Sequence, residues 1–196
     1  ALHLLINQKC NLITFHGPMA VNIAEELDDF TMNSLLKAIT QTDTLGCIEN
    51  PDNIKIRCLV KGIGRGEIVG GNLSLVTATM GTPYEIDTKG KLLLLEEVGE
   101  EPYRIDRMLT QLVLAGKLQE ATGIILGDWK GCEGKEYEKG LTLMEVFQGI
   151  IIPLGKPTIY NLKAGHCSPK VTLPLGVKGI LNATEGKLYI EEGATV

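Results

Sequence analysis

Glu96 and His166 are the two residues whose surroundings best suit proton transfer. Glu96 closes the apolar run Leu92-Leu93-Leu94-Leu95, and ligands of open α/β sheets bind at the carboxyl ends of strands. A carboxylate there can be held by the amides of the following turn and aimed at an imidazole. His166 lies in Ala164-Gly165-His166-Cys167-Ser168-Pro169, an irregular loop of the kind that often carries catalytic side chains. Its imidazole ordinarily titrates near neutrality, which suits a general base. Position alone also allows plainer readings, a solvated acidic loop for Glu96 and an exposed surface histidine for His166. For Glu97, Glu100 and Glu101 the solvated loop is the reading adopted, with Glu100 pairing Arg104 at i, i+4.

A base and an orienting acid need a nucleophile, and the sequence offers only weak ones. The serines are Ser34, Ser74 and Ser168, and none stands in a GxSxG elbow. Cys167 adjoins His166, but sequence neighbours rarely face one another. Asn72, at the mouth of a helix, either caps that helix or hydrogen-bonds a ligand. The glycines at 62, 64, 66, 70 and 71 lack the phosphate-loop signature, and Gly62-Ile63-Gly64-Arg65-Gly66 is one residue short of GxGxxG. Close backbone approach to a substrate or a neighbouring domain is expected of them. His16, beside Gly17-Pro18, and His3 read as structural. With no HxxxH, HxH or CxxC spacing, neither a metal site nor a cofactor is expected.

Several elements must position these groups. Residues 2–9 read as the end of a helix and Asn11 to Phe15 as a short strand. A helix is expected from about Ala24 to Ile39, with Glu25, Glu26, Asp28 and Asp29 at its positive end and Leu27, Phe30, Ser34, Leu35 and Ala38 facing inward. Leu45 to Asn53 reads as a linker, and Ile54 to Val60 as the strand that opens a second domain. The glycine-rich stretch leads into a helix from Asn72 to Met80, stopped by Gly81-Thr82-Pro83. Lys91 to Glu96 is an apolar strand. Pro102 suits the first turn of a helix whose Ile105, Met108, Leu109, Leu112 and Val113 recur at i, i+3, i+4, i+7, i+8. Gly123 to Leu126 is a buried strand and Leu143 to Phe147 a short helix. Pro157 to Glu192 reads as a β-rich closure.

Composition narrows the class. Of 196 residues, 44% are apolar and 22% charged, which excludes a disordered chain. A net charge of −5 without a basic cluster argues against nucleic acid or an anionic membrane as partner. No apolar run approaches the roughly 20 residues that span a bilayer, and no signal peptide opens the chain. Five widely spaced cysteines suit a reducing, cytoplasmic compartment.

The block Leu95-Glu96-Glu97-Val98-Gly99-Glu100-Glu101-Pro102-Tyr103-Arg104-Ile105-Asp106-Arg107-Met108 closely resembles the LD-carboxypeptidases, the muramoyltetrapeptide carboxypeptidase family of serine peptidases. His16-Gly17-Pro18-Met19, Gly70-Gly71-Asn72-Leu73, Gly81-Thr82-Pro83-Tyr84, Gly123-Ile124-Ile125-Leu126-Gly127 and Ala164-Gly165-His166 follow in the family's order. The resemblance implies a Ser–Glu–His triad with Glu96 as the acid and His166 as the base. The serine would lie in a Gly-Tyr-Ser-Asp-type turn just upstream of Ala1-Leu2-His3. It implies an α/β fold, the tail of an amino-terminal Rossmann-like layer (1–44), a linker (45–55) and a carboxy-terminal mixed β/α swivelling domain (56–196). It further implies a bacterial, cytoplasmic enzyme, a homodimer when intact, that takes the terminal D-alanine from murein tetrapeptides during cell-wall recycling. Asn72 would contact substrate. The alternatives are an immunity-type peptidase that cleaves peptide–nucleotide antibiotics, or a fragment inactive by itself.

Overall fold

The computed structural model describes residues 2–24, 27–133 and 140–195. Its frame is built around the apolar strand that Leu92–Leu95 predicts. Strand β5 (Leu92–Val98) lies between β4 (Ile63–Asn72) and β6 (Gly123–Lys130), parallel to both. All four leucines are fully buried, the pattern of a strand covered on both faces. Leu93 and Leu95 enter a core with Leu73, Ile105, Leu109 and Leu112. Leu92 and Leu94 enter a second core with Ile125, Ala164, Leu173 and Leu188. Each such burial stabilises by about 1.5–3 kcal/mol relative to exposure.

The remaining strands extend this frame to both sides. In chain order they are β1 (Thr14–His16), β2 (Gly46–Ile48), β3 (Arg57–Val60), β7 (Thr158–Tyr160), β8 (Leu173–Leu175), β9 (Lys178–Asn182) and β10 (Lys187–Ile190). Eight of the strands form one mixed sheet in the order β2-β10-β9-β4-β5-β6-β7-β3. Strands β1 and β8 form a separate antiparallel pair. Helices α1 (Leu2–Cys10), α2 (Ala20–Ala24) and α3 (Asp29–Thr40) precede the main sheet. Next come α4 (Leu73–Ala78), α5 (Pro102–Leu114), α6 (Lys117–Glu120) and α7 (Leu143–Ile150). Pro102 occupies the first turn of α5, and Ile105, Met108, Leu109 and Leu112 form its buried stripe, as the spacing predicts.

Three expectations are corrected. The helix expected over 24–39 starts later, at Asp29, and Ala24 ends α2 instead. Asp28 has extended dihedrals and accepts from Thr31 N–H at 2.8 Å, so it starts a new helix as an N-cap. Glu25 and Glu26, placed in that helix by the sequence reading, lie outside the described residues. The linker segment contains β2, paired antiparallel with β10. The glycine-rich stretch, expected to approach a substrate or a neighbouring domain, is β4, in the middle of the sheet. Gly70 has φ +128° and its place for a Cβ is taken by the Leu94 carbonyl oxygen, so the close approach that the glycines suggest is to the neighbouring strand.

Candidate functional site

Adjacent positions on β5 send their carboxylates to opposite faces. Glu97 continues the Leu93, Leu95 series and Glu96 the Leu92, Leu94 series, as the period of two requires. The carboxyl end of β5 is also where its pairing with β6 breaks step: Leu95 faces Leu126, but Glu97 faces Trp129. Such bulges re-aim side chains beside functional sites. On β6, Gly127 leaves no room for a Cβ, which would meet the Ala164 carbonyl oxygen and, at 3.1 Å, the Glu96 Cβ. Asp128 N–H donates to that same carbonyl at 2.9 Å. The loop bearing His166 is thereby pinned against the site of Glu96.

The outcome is an imidazole–carboxylate pair, with His166 Nδ1 2.8 Å from Glu96 Oε2. Glu96 is fully buried, whereas the His166 side chain is 45% exposed. Burial pushes the Glu96 carboxyl above its ordinary value, and the hydrogen bond and positive charge of His166 pull it back in part. A carboxylate held this way fixes one tautomer of its imidazole and leaves Nε2 free to take a proton. The pair lines a cleft of about 300 Å³ that also touches His3, His16, Asn72 and Gly165. Gly165 is required there, because at φ +136° a Cβ would sit 2.7 Å from Glu96 Oε2. Gly165→Ala is expected to displace the pair and, in the upstream-extended protein, to lower kcat about 100-fold. Steady-state kinetics with a circular-dichroism check on folding would show it; unchanged kcat would mean that the loop tolerates the methyl group.

Glu97 contradicts the solvated-loop reading. It is 2% exposed and accepts from Asn72 Nδ2 at 2.7 Å, Ser74 N–H at 2.8 Å, Ser74 Oγ–H at 2.7 Å and its neighbour Val98 N–H at 2.9 Å. It fastens the start of α4 to the sheet. Removal takes the acceptor from part-buried donors of Asn72, Ser74 and Val98, so Glu97→Ala is expected to cost about 1–3 kcal/mol, read as a fall in the urea midpoint. Glu100 does pair with Arg104, at 3.2 Å. Asn72 is the N-cap of α4, its Oδ1 accepting from Leu75 N–H at 3.1 Å while its amide donates to Glu97. Both ends of its side chain thus serve the fold, although it borders the cleft.

The serines are all engaged elsewhere. Ser74 donates to Glu97, Ser34 Oγ accepts from Thr172 N–H at 2.9 Å, and Ser168 Oγ–H donates to Asp28 at 3.2 Å. Burial raises the Cys167 thiol to about 11, which leaves it protonated and a poor nucleophile at neutral pH. His3 and His16, read from sequence as structural, both line the cleft with their rings edge to face at 5.7 Å. The sequence signal for His16 was its place at the end of a short strand, which brings it to the site only through the pairing of β1 with β8.

Among the described residues, no helix is long and apolar enough to cross a membrane. The chain is 43% identical, over 99% of its length, to a probable murein peptide carboxypeptidase of Bacillus subtilis, covering 60% of that protein. It is 28% identical over 95% of its length to the microcin C7 self-immunity protein of Escherichia coli, covering 61% of it. A crystal structure of the muramoyltetrapeptide carboxypeptidase from Oxalobacter formigenes superposes with a TM-score of 0.80 at 27% identity, over 98% of this chain and 64% of that one. The chain therefore spans about 60% of the length of these curated relatives. Residues 65–181, which hold β5, the bulge and the His166 loop, match the LD-carboxypeptidase C-terminal domain, and the chain belongs to the LD-carboxypeptidase family.

Proposed function

We propose that this chain supplies the acid and base of a serine carboxypeptidase that removes the terminal D-alanine of murein tetrapeptides during cytoplasmic cell-wall recycling. The observation that carries the reading is the 2.8 Å contact between buried Glu96 and part-exposed His166 on the wall of a cleft. In this reading the nucleophilic serine comes from sequence upstream, since Ser34, Ser74 and Ser168 have other partners and the Cys167 thiol stays protonated. The serine attacks the carbonyl of the scissile amide, His166 Nε2 takes its proton and then gives it to the leaving amine. Glu96 orients the ring and stabilises the imidazolium. The resulting acyl-enzyme is hydrolysed by the same steps with water as nucleophile. Asn72, which borders the cleft, contacts substrate in this reading.

A second reading, a peptidase that cleaves peptide–nucleotide antibiotics, rests on the similarity to the self-immunity protein. It would need an aromatic platform for a base. The only tryptophan, Trp129, is half-buried, packs edge to face on Phe147 with ring centres 5.0 Å apart, and lines a cleft with Met144 and Tyr160 that is separate from the one holding Glu96 and His166. The murein substrate is therefore preferred. The test is D-alanine release from a murein tetrapeptide by this chain and by the protein extended upstream. Release by the extended form alone is expected. Release by neither shifts the substrate to another peptide, and release by this chain alone overturns the placing of the nucleophile.

A further inference from the structure

Glu96 has a second oxygen, and its surroundings are unusual. Oε1 is shielded from solvent and accepts no hydrogen bond. His16 Nε2 lies 3.9 Å away, itself shielded and without a partner. Two buried polar atoms left unmade opposite each other are rare in folded proteins and call for an explanation. A hydrogen bond between them would need a separation of about 2.7–3.2 Å, so the gap is roughly 1 Å too long. The ring that must move is on β1, outside the main sheet, where His16 pairs with Leu173 of β8. The stem of Glu96 is held by contrast, its Cβ close against Gly165 and Gly127, which leaves only the carboxylate free to turn.

We propose that His16 is a positioning residue, whose Nε2–H closes on Glu96 Oε1 in the working enzyme and holds the carboxylate with Oε2 toward His166. Glu96 would then lie between two imidazoles. The proposal rests on the reading of Glu96 and His166 as the working pair. A neutral His16 is the form it needs, since the ring must give one hydrogen bond without adding a charge to the cleft. Burial first, then the charges of His3, His166 and Lys170, hold His16 down at about 4, so the ring is neutral at physiological pH. Against a carboxylate oxygen a neutral ring nitrogen is useful only as a donor, which selects the Nε2–H tautomer. The same oxygen would otherwise let the carboxylate swing, and His166 would lose its fixed orientation.

The test uses the upstream-extended protein with His16→Phe, which keeps a ring but no donor, and His16→Gln, which restores an amide donor. His16→Phe is expected to lower kcat about 10- to 100-fold, as losses of such supporting contacts do, with KM little changed. His16→Gln is expected to recover most of it. In nitrogen-15 spectra the Nδ1 proton of His166 should lose its strong downfield shift in the Phe variant and regain it in the Gln variant. Equal losses in both variants with an unmoved His166 signal would show a packing role only and overturn the proposal, as would full activity in the Phe variant. Should that variant not fold, the wild-type spectrum decides, because an Nδ1–H tautomer at His16 excludes the hydrogen bond. Glu96→Gln serves as control: if it keeps activity, it is the triad reading that has failed.

Discussion

In the upstream-extended protein, His166→Ala is expected to lower kcat by about four to six orders of magnitude, as removal of the base does in serine peptidases built on this logic. The loss is that large because no other group replaces it. His16 lies beside Glu96 Oε1 and is held neutral by burial, and His3 sets its ring edge to face against His16. Since the His166 side chain is 45% exposed and packs little, the variant should melt near the parent's temperature. Single-turnover D-alanine release beside a thermal melt checks both. A variant with more than a few per cent of parental turnover would remove His166 from the mechanism.

Glu96→Gln should cost about 10⁴ in kcat, by a different route. The amide can donate to His166 Nδ1 where the carboxylate accepts, and this favours the tautomer with its proton on Nε2, the atom that must take one. Stability should move the other way. The folded carboxyl lies above its ordinary value because of burial, so folding disfavours the ionised form. Its contribution to stability is fully present below the ordinary carboxyl range and is lost as pH rises through the folded value. Glutamine cannot ionise and escapes that loss. The variant is therefore expected to be at least as stable as the parent at neutral pH, with a flatter stability profile between acid and neutral. Calorimetry across pH reads this directly, and a marked drop in melting temperature at pH 7 would mean that the ionised carboxylate holds the fold together.

What the sequence made legible follows from how local its causes are. The run Leu92–Leu95, the proline of α5 and the i, i+3, i+4 spacing of Ile105, Met108 and Leu109 each imply their element within a few residues, and all three appear in the fold. The meeting of Glu96 with His166 spans 70 residues; the strand end and the loop suggested an acid and a base, and the family resemblance paired them in a triad. Strand β4 was hidden because its glycines serve a crowded neighbour, Leu94, that no local pattern reveals. Glu97 was misread because four glutamates within six residues look like a surface run, while only its partners on α4 show that it is enclosed. The break between α2 and α3 turned on one side-chain bond of Asp28.

The opposed carboxylates of β5 make the strand a ruler. Its alternation sets which glutamate meets the cleft and which anchors α4, and that alternation depends on counting residues rather than on their identity. One aliphatic exchanged for another between positions 92 and 95 alters volume alone. Adding or removing a single residue there reverses parity, so that the anchor faces the cleft and the aimed acid faces Ser74. The strand can thus drift in composition, but its length is bound to which carboxylate meets His166.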